Sequence, residues 1–163
     1  MMGIMGDSHD NIDAVGKAVE FFNSRDVDLI VHTGDLVSMF TLEALSKLKG
    51  DLKMVFGNNE GERSNIAKKV QELGWEIGDM LEFEYDGKKV AVYHGQNPSI
   101  LDALVKSKKY DIVATGHTHT PEVTMEDNTL IVNSGESCGY LTGVKTVALL
   151  DVNEMKADIH TLE

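Results

Sequence analysis

The chain has 163 residues, of which 42% are apolar and 26% charged, with a formal net charge of −12. That length suits one domain with a single sizeable core, and we expect residues 1–163 to form it. The acidic balance argues against a surface that tracks nucleic-acid phosphates, so no long nucleic acid is expected as a partner. No run approaches the ~18 apolar residues of a membrane span. Asp7 comes too early, with no basic stretch before it, for a secretory signal. The lone cysteine, Cys138, excludes an internal disulfide framework and fits a reducing cytoplasm. A cytoplasmic protein without a membrane partner is therefore expected, with homo-oligomerisation left open.

Residues 3–6 read as a first short strand ending at Asp7-Ser8-His9-Asp10-Asn11, where Asp10 or Asn11 is placed to cap a helix. Ile12, Val15, Val19 and Phe22 then recur at helical spacing. Val27–His32 is a second strand, ended by Gly34-Asp35, and Leu42, Leu45 and Leu48 mark a second helix. Leu52–Phe56 is a third strand, ended by Gly57-Asn58-Asn59-Glu60. A third helix follows from about Glu62, with Ile66, Val70 and Leu73 inward and Gly74 as its stop. Leu81–Tyr85 and Lys89–Tyr93 flank Asp86-Gly87 as a β-hairpin with a favoured two-residue turn. Its second arm ends at His94-Gly95. Asn97-Pro98 opens a helix with cap and N1 proline in the expected order, and Ile100, Leu101, Leu104 and Val105 supply its apolar stripe. Asp111–Ala114 is a buried strand running into Thr115-Gly116-His117-Thr118-His119. Glu122–Met125 with Thr129–Val132, and Thr146–Asp151 with Ala157–Leu162, read as strand pairs. Strand and helix alternate early, which implies parallel pairing, and strands dominate later. The expected fold is α/β, with two sheets packed between helices.

Chemistry gathers where strands end: Asp7 and His9, Asp35, Asn58, His94, then His117 and His119. Each has an ordinary reading alone. Asp7-x-His9 is a turn or cap, Gly34-Asp35 and Gly57-Asn58 are turn dipeptides, His94 is a hydrogen-bonded histidine, and His-x-His is a surface loop. In open α/β sheets, however, ligands bind beyond the carboxyl ends of the strands, and five such ends would converge. Two carboxylates, one carboxamide and four imidazoles suit Mn, Fe, Co, Ni or Zn better than calcium. Seven side chains are too many for one catalytic ion with an open position and fit two ions sharing a bridge. His32 is expected to be a satisfied interior residue, His160 a surface residue and Cys138 a small buried one.

Asp7-x-His9, Gly34-Asp35, Gly57-Asn58-Asn59-Glu60, His94-Gly95 and Gly116-His117-Thr118-His119 resemble the five motifs of the calcineurin-like metallophosphoesterases. The resemblance runs from Asp7 to at least Gly135 and is greatest to the small YfcE-type phosphodiesterases. It implies a four-layer α/β/β/α sandwich with two mixed β-sheets. It implies one ion held by Asp7, His9, Asp35 and His119, and another by Asp35, Asn58, His94 and His117, with Asp35 as the bridge. Manganese leads the expected metals, ahead of nickel, iron, cobalt and zinc. The implied activity is hydrolysis of a small phosphodiester by a hydroxide bridging two divalent ions. Asp35, Asn58 and His94 are assigned to the catalytic core. Asn59 and Arg63 are assigned to the substrate side, although Arg63 also reads as a surface salt bridge. Many family members carry histidine where this chain has Asn59, and that histidine is thought to protonate the leaving group. Two other readings remain: a non-catalytic metal-binding scaffold on the same fold, like the retromer subunit that resembles these enzymes, and a nuclease acting on short oligonucleotides.

Overall fold

The computed structural model describes residues 1–163. The first strand, β1 (Met2–Met5), runs into helix α1 (Ile12–Asn23), followed by β2 (Leu29–His32), α2 (Met39–Leu45), β3 (Asp51–Val55), α3 (Arg63–Glu72) and β4 (Glu76–Gly78). After these come β5 (Met80–Tyr85), β6 (Lys88–Tyr93), α4 (Pro98–Lys106), β7 (Ile112–Thr115), β8 (Pro121–Glu126), β9 (Thr129–Ser134), β10 (Thr146–Asp151) and β11 (Lys156–Thr161). One sheet has the order β11-β10-β1-β2-β3-β4 and the other β5-β6-β7-β9-β8. Both are mixed. In the first, β1 through β4 pair in parallel while β10 is antiparallel to β1 and β11. In the second, β6, β7 and β9 are parallel, with antiparallel arms β5 and β8 at its edges.

The layers follow from the period-2 alternation of the central strands. In β2, Leu29 and Val31 face the other sheet, where they join Ile4, Val90, Val92, Ile112, Ala114 and Val132 in a buried inter-sheet core. Ile30 faces the opposite way, onto Val15, Val19 and Phe22 of α1, Leu42 and Leu45 of α2, and Ile66 and Val70 of α3. The Phe22 ring lies against Gly3, where an added Cβ would come within 2.7 Å of it. Helix α4 covers the outer face of the second sheet, with Val105, Leu101 and Leu104 against Ala91 and Val113. The expected α/β/β/α arrangement with two mixed sheets is thus observed.

The local signals act as expected. Asn11 caps α1 by accepting from the Ala14 N–H, and Asn97 caps α4 with Pro98 in its first turn. Asp86 and Gly87 both have positive φ, 49° and 75°, as the two central positions of a type I′ turn require. Three expectations need correction. Strand β4, absent from the sequence reading, is only three residues long and too short to show alternation; it pairs with β3 and lengthens the first sheet. Helix α2 ends at Leu45, so Leu48 packs on the core from the turn that follows it. His160 is half-buried rather than on the surface, its ring 5.1 Å from that of Phe21.

Candidate metal centre

The parallel strands β1, β2 and β3 of one sheet and β6, β7 and β9 of the other all run toward the same edge of the sandwich. The loops beyond their carboxyl ends carry every residue of the candidate centre. Asp7 and His9 follow β1, Asp35 follows β2, Asn58 follows β3, His94 ends β6, and His117 and His119 follow β7. Asp35 lies between two groups. Its Oδ2 is 3.6 Å from His9 Nε2 on one side and 3.5 Å from His94 Nε2 on the other. On the first side, His119 Nε2 lies 3.4 Å and His9 Nε2 3.9 Å from Asp7 Oδ1, with the two rings stacked at 5.1 Å. On the second, Asn58 Oδ1 lies 3.0 Å from His94 Nε2 and 2.9 Å from His117 Nδ1, with those rings edge-on at 5.2 Å.

The backbone is held in an unusual state to achieve this. Asp7, His9, Asp35, His117 and His119 all have φ between 42° and 70°, a region that non-glycine residues rarely enter and that commonly marks functional sites. Backbone contacts stabilise the turns: the Asp7 N–H donates to the Gly34 carbonyl and the His9 N–H to the Asp35 carbonyl. Glu60 joins the loops after β2 and β3, accepting from the Leu36 N–H at 3.0 Å and the Gly57 N–H at 2.9 Å. Gly57 permits the close passage of Asp35, since a Cβ there would lie 2.1 Å from Asp35 Oδ1.

Asp7, Asp35, His94 and His119 are each oriented by a further hydrogen bond. Asp7 accepts the His117 N–H on Oδ2 at 3.1 Å, leaving Oδ1 buried and without a partner. Asp35 accepts the Asn59 N–H at 2.9 Å and the Asn59 side-chain amide at 2.6 Å. His94 Nδ1–H donates to the Thr33 carbonyl at 2.8 Å. His119 Nδ1–H donates to Glu136 at 2.8 Å. A carbonyl or carboxylate only accepts, so the remaining nitrogen of each ring presents a lone pair to the centre. His94 Nε2 then faces Asn58 Oδ1 and Asp35 Oδ2, and His119 Nε2 faces Asp7 Oδ1. His9 Nε2 is also buried without a partner. Lone pairs facing lone pairs in a buried cluster are unfavourable unless something electron-poor lies between them. Divalent cations satisfy that requirement, and the nitrogen and oxygen donor set fits them.

Burial and the pairing of neighbours shift the ionisation of these groups in both directions. Burial pushes Asp7 up to about 6, against the lowering influence of His94 and His119. Burial also acts to raise Asp35, but the adjacent His94 and the hydrogen bonds from Asn59 overcome it and hold Asp35 well below the usual carboxylate range. Burial acts to lower His94, and its pairing with Asp35 reverses that and raises it. Burial lowers His9 and His117. His32 is driven down to about 3 by burial; it lies outside the centre, with Nε2 3.0 Å from Ser8 Oγ and Nδ1 accepting the Gly34 N–H. It is therefore the satisfied interior residue expected. Cys138 is buried and its thiol is pushed up to about 12, largely by that burial.

The substrate-side candidates are placed differently. Asn59 directs its amide at Asp35 rather than into open solvent. Arg63 pairs with Asp79 and lies 4.1 Å over the Phe56 ring. Sequence reasoning missed Glu136, which follows β9 and makes this a sixth contributing strand end. It also missed Asn133, whose amide donates to the Gly116 carbonyl at 2.9 Å and to Thr118 Oγ1 at 3.0 Å, fixing the His117–His119 turn. The available signal was position: Asn133-Ser134-Gly135-Glu136 ends a strand as the other motifs do.

Residues 1–155 match the calcineurin-like phosphoesterase superfamily domain. The chain is 37% identical over 155 residues to the phosphodiesterase MJ0936 of Methanocaldococcus jannaschii, covering 94% of this chain and 93% of that protein. A solved archaeal phosphodiesterase superposes with a TM-score of 0.95 at 36% identity, covering 99% of both chains. The phosphoesterase YfcE of E. coli shares the fold at a TM-score of 0.69 and 16% identity, again over 99% of both chains. With the expected motifs gathered at one end of the expected sandwich, the chain belongs to the calcineurin-like phosphoesterase superfamily and is an enzyme of that family.

Proposed function

We propose that residues 1–163 act as one domain that hydrolyses a small phosphodiester with two divalent transition-metal ions, manganese foremost. Asp7, His9, Asp35 and His119 would hold one ion. Asp35, Asn58, His94 and His117 would hold the other. The observation that carries this reading is the set of inward lone pairs on His94 Nε2, His119 Nε2 and Asp7 Oδ1, with the buried, unpartnered His9 Nε2 among them, arranged on either side of Asp35. Such ions, when bound, activate water and neutralise charge on the phosphoryl group.

The chain's own residues set the geometry. Asn59 fixes the Asp35 carboxylate by two hydrogen bonds, so both its oxygens keep one orientation. Thr33 retains the proton of His94 on Nδ1, so that ring presents a fixed lone pair. The amide of Asn59 cannot transfer a proton as an imidazolium does, so it gives the departing alkoxide no proton. Rate should then fall steeply as the leaving alcohol becomes less acidic, because a positioned acid typically contributes ~10²–10⁴-fold.

The test is hydrolysis by manganese-loaded protein of a series from bis(p-nitrophenyl) phosphate to alkyl diesters, with and without chelator. We expect chelator-sensitive diesterase activity with aryl substrates far ahead. A shallow series would show that an acid is already in place. Metal binding without turnover of any diester would indicate a scaffold, and turnover confined to oligonucleotides a nuclease.

A further inference from the structure

We propose that Glu136 is a positioning residue that locks His119 in the Nδ1–H tautomer and anchors the loop Gly139–Val144 beside it. The proposal rests on the assignment of His119 as a metal ligand made above. Glu136 is completely buried, yet its carboxylate is saturated by donors of two origins. From the centre, His119 Nδ1–H donates to Oε2 at 2.8 Å. From the loop, the Leu141 N–H approaches Oε1 at 3.0 Å, the Thr142 N–H donates to it at 2.5 Å and Thr142 Oγ1–H at 2.7 Å. The Cys138 thiol adds a contact of 3.2 Å to Oε2.

Two consequences follow. An acceptor-only group opposite Nδ1 forces the proton onto that nitrogen, so Nε2 carries the lone pair that faces Asp7 Oδ1. A carboxamide in the same place could satisfy Nδ1 by donating to it, which would put the ring proton on Nε2 and block ligation. The loop, for its part, leaves Tyr140 61% and Leu141 76% exposed. Its tip therefore gains little from apolar packing, and the carboxylate is the tie that places it.

The experiment uses manganese alone, titrated calorimetrically into metal-depleted wild type, Glu136→Gln and His119→Ala, with circular dichroism confirming the fold. Partners of metal-bound histidines typically contribute 10–100-fold in affinity. Glu136→Gln should weaken one of the two manganese sites by about that factor and leave the other unchanged. It should also speed chymotryptic cleavage at Tyr140–Leu141. Should His119→Ala weaken a site while Glu136→Gln leaves both intact, the proposal fails. Should His119→Ala leave both intact, the ligand assignment fails instead. Unchanged cleavage would overturn the anchoring of the loop. A long-range ¹H–¹⁵N spectrum of metal-depleted wild type needs no variant: a proton on His119 Nδ1 is expected, and one on Nε2 would overturn the proposal.

Discussion

The two sides of the centre meet at Asp35 but are built differently. The Asp7 side carries a buried carboxylate with an unpartnered oxygen, and His9 Nε2 is likewise buried and unpartnered. The Asn58 side uses a neutral carboxamide, which both His94 and His117 approach within 3.0 Å. Without a cation, the first side is the more frustrated, because it buries a carboxylate oxygen with no donor, whereas on the second side the His117 ring is able to donate to the Asn58 oxygen that His94 Nε2 faces. Frustration of this kind costs folding stability and is retained because it makes cation binding favourable. The comparison predicts which changes disable the protein, which stabilise its metal-free form, and which do little.

The largest effect should come from removing what the sides share. Asp35→Asn keeps the shape but removes the charge between the two groups, and kcat/KM for an aryl diester should fall by at least about 10²-fold, beyond what partners of metal ligands typically contribute. Activity within a factor of ten of wild type would mean that the sides do not depend on a common carboxylate.

A smaller effect of opposite sign should come from the Asp7 side alone. Because burial raises Asp7 to about 6 from 3.8, its charge opposes folding of the metal-free protein. The penalty is absent below about pH 4, grows as pH rises, and is complete above about pH 6. A shift of that size corresponds to about 3 kcal/mol, or a melting-temperature change of roughly 6–12 °C in a chain of this length. Asp7→Asn should therefore melt higher than wild type in chelator at pH 8, with the difference shrinking toward pH 4, while losing activity in manganese. Equal melting points at pH 8 would show that the Asp7 side is not frustrated.

The smallest effect is expected outside both sides. Arg63 is half-exposed and paired with Asp79 on the surface, so Arg63→Ala should cost less than about 1 kcal/mol and leave KM nearly unchanged. A tenfold rise in KM would place the guanidinium on the substrate.

What the sequence made legible and what it hid have the same physical origin. Chain order, caps and strand alternation are local, so β1, α1, β6, the Asp86-Gly87 turn and α4 could all be read. The donors at the strand ends could be read because each lies a fixed few residues past an apolar run. The groups that aim them could not. Thr33 acts through its backbone carbonyl, which any residue would supply, and lies 61 residues from His94. Glu136 looks like one more surface acid among many until the fold brings it to His119. Strand β4 escaped because three residues show no period. The residues that could hold the ions are thus written locally, while their orientation arises from tertiary contacts.

The central claim is a two-sided centre bridged by Asp35, and manganese titration of chelator-treated protein tests it most directly. Wild type should take up two equivalents, Asn58→Ala should keep one at near-native affinity, and Asp35→Asn should lose tight binding of both. Two tightly bound ions in Asp35→Asn, or a single equivalent in wild type, would contradict the account.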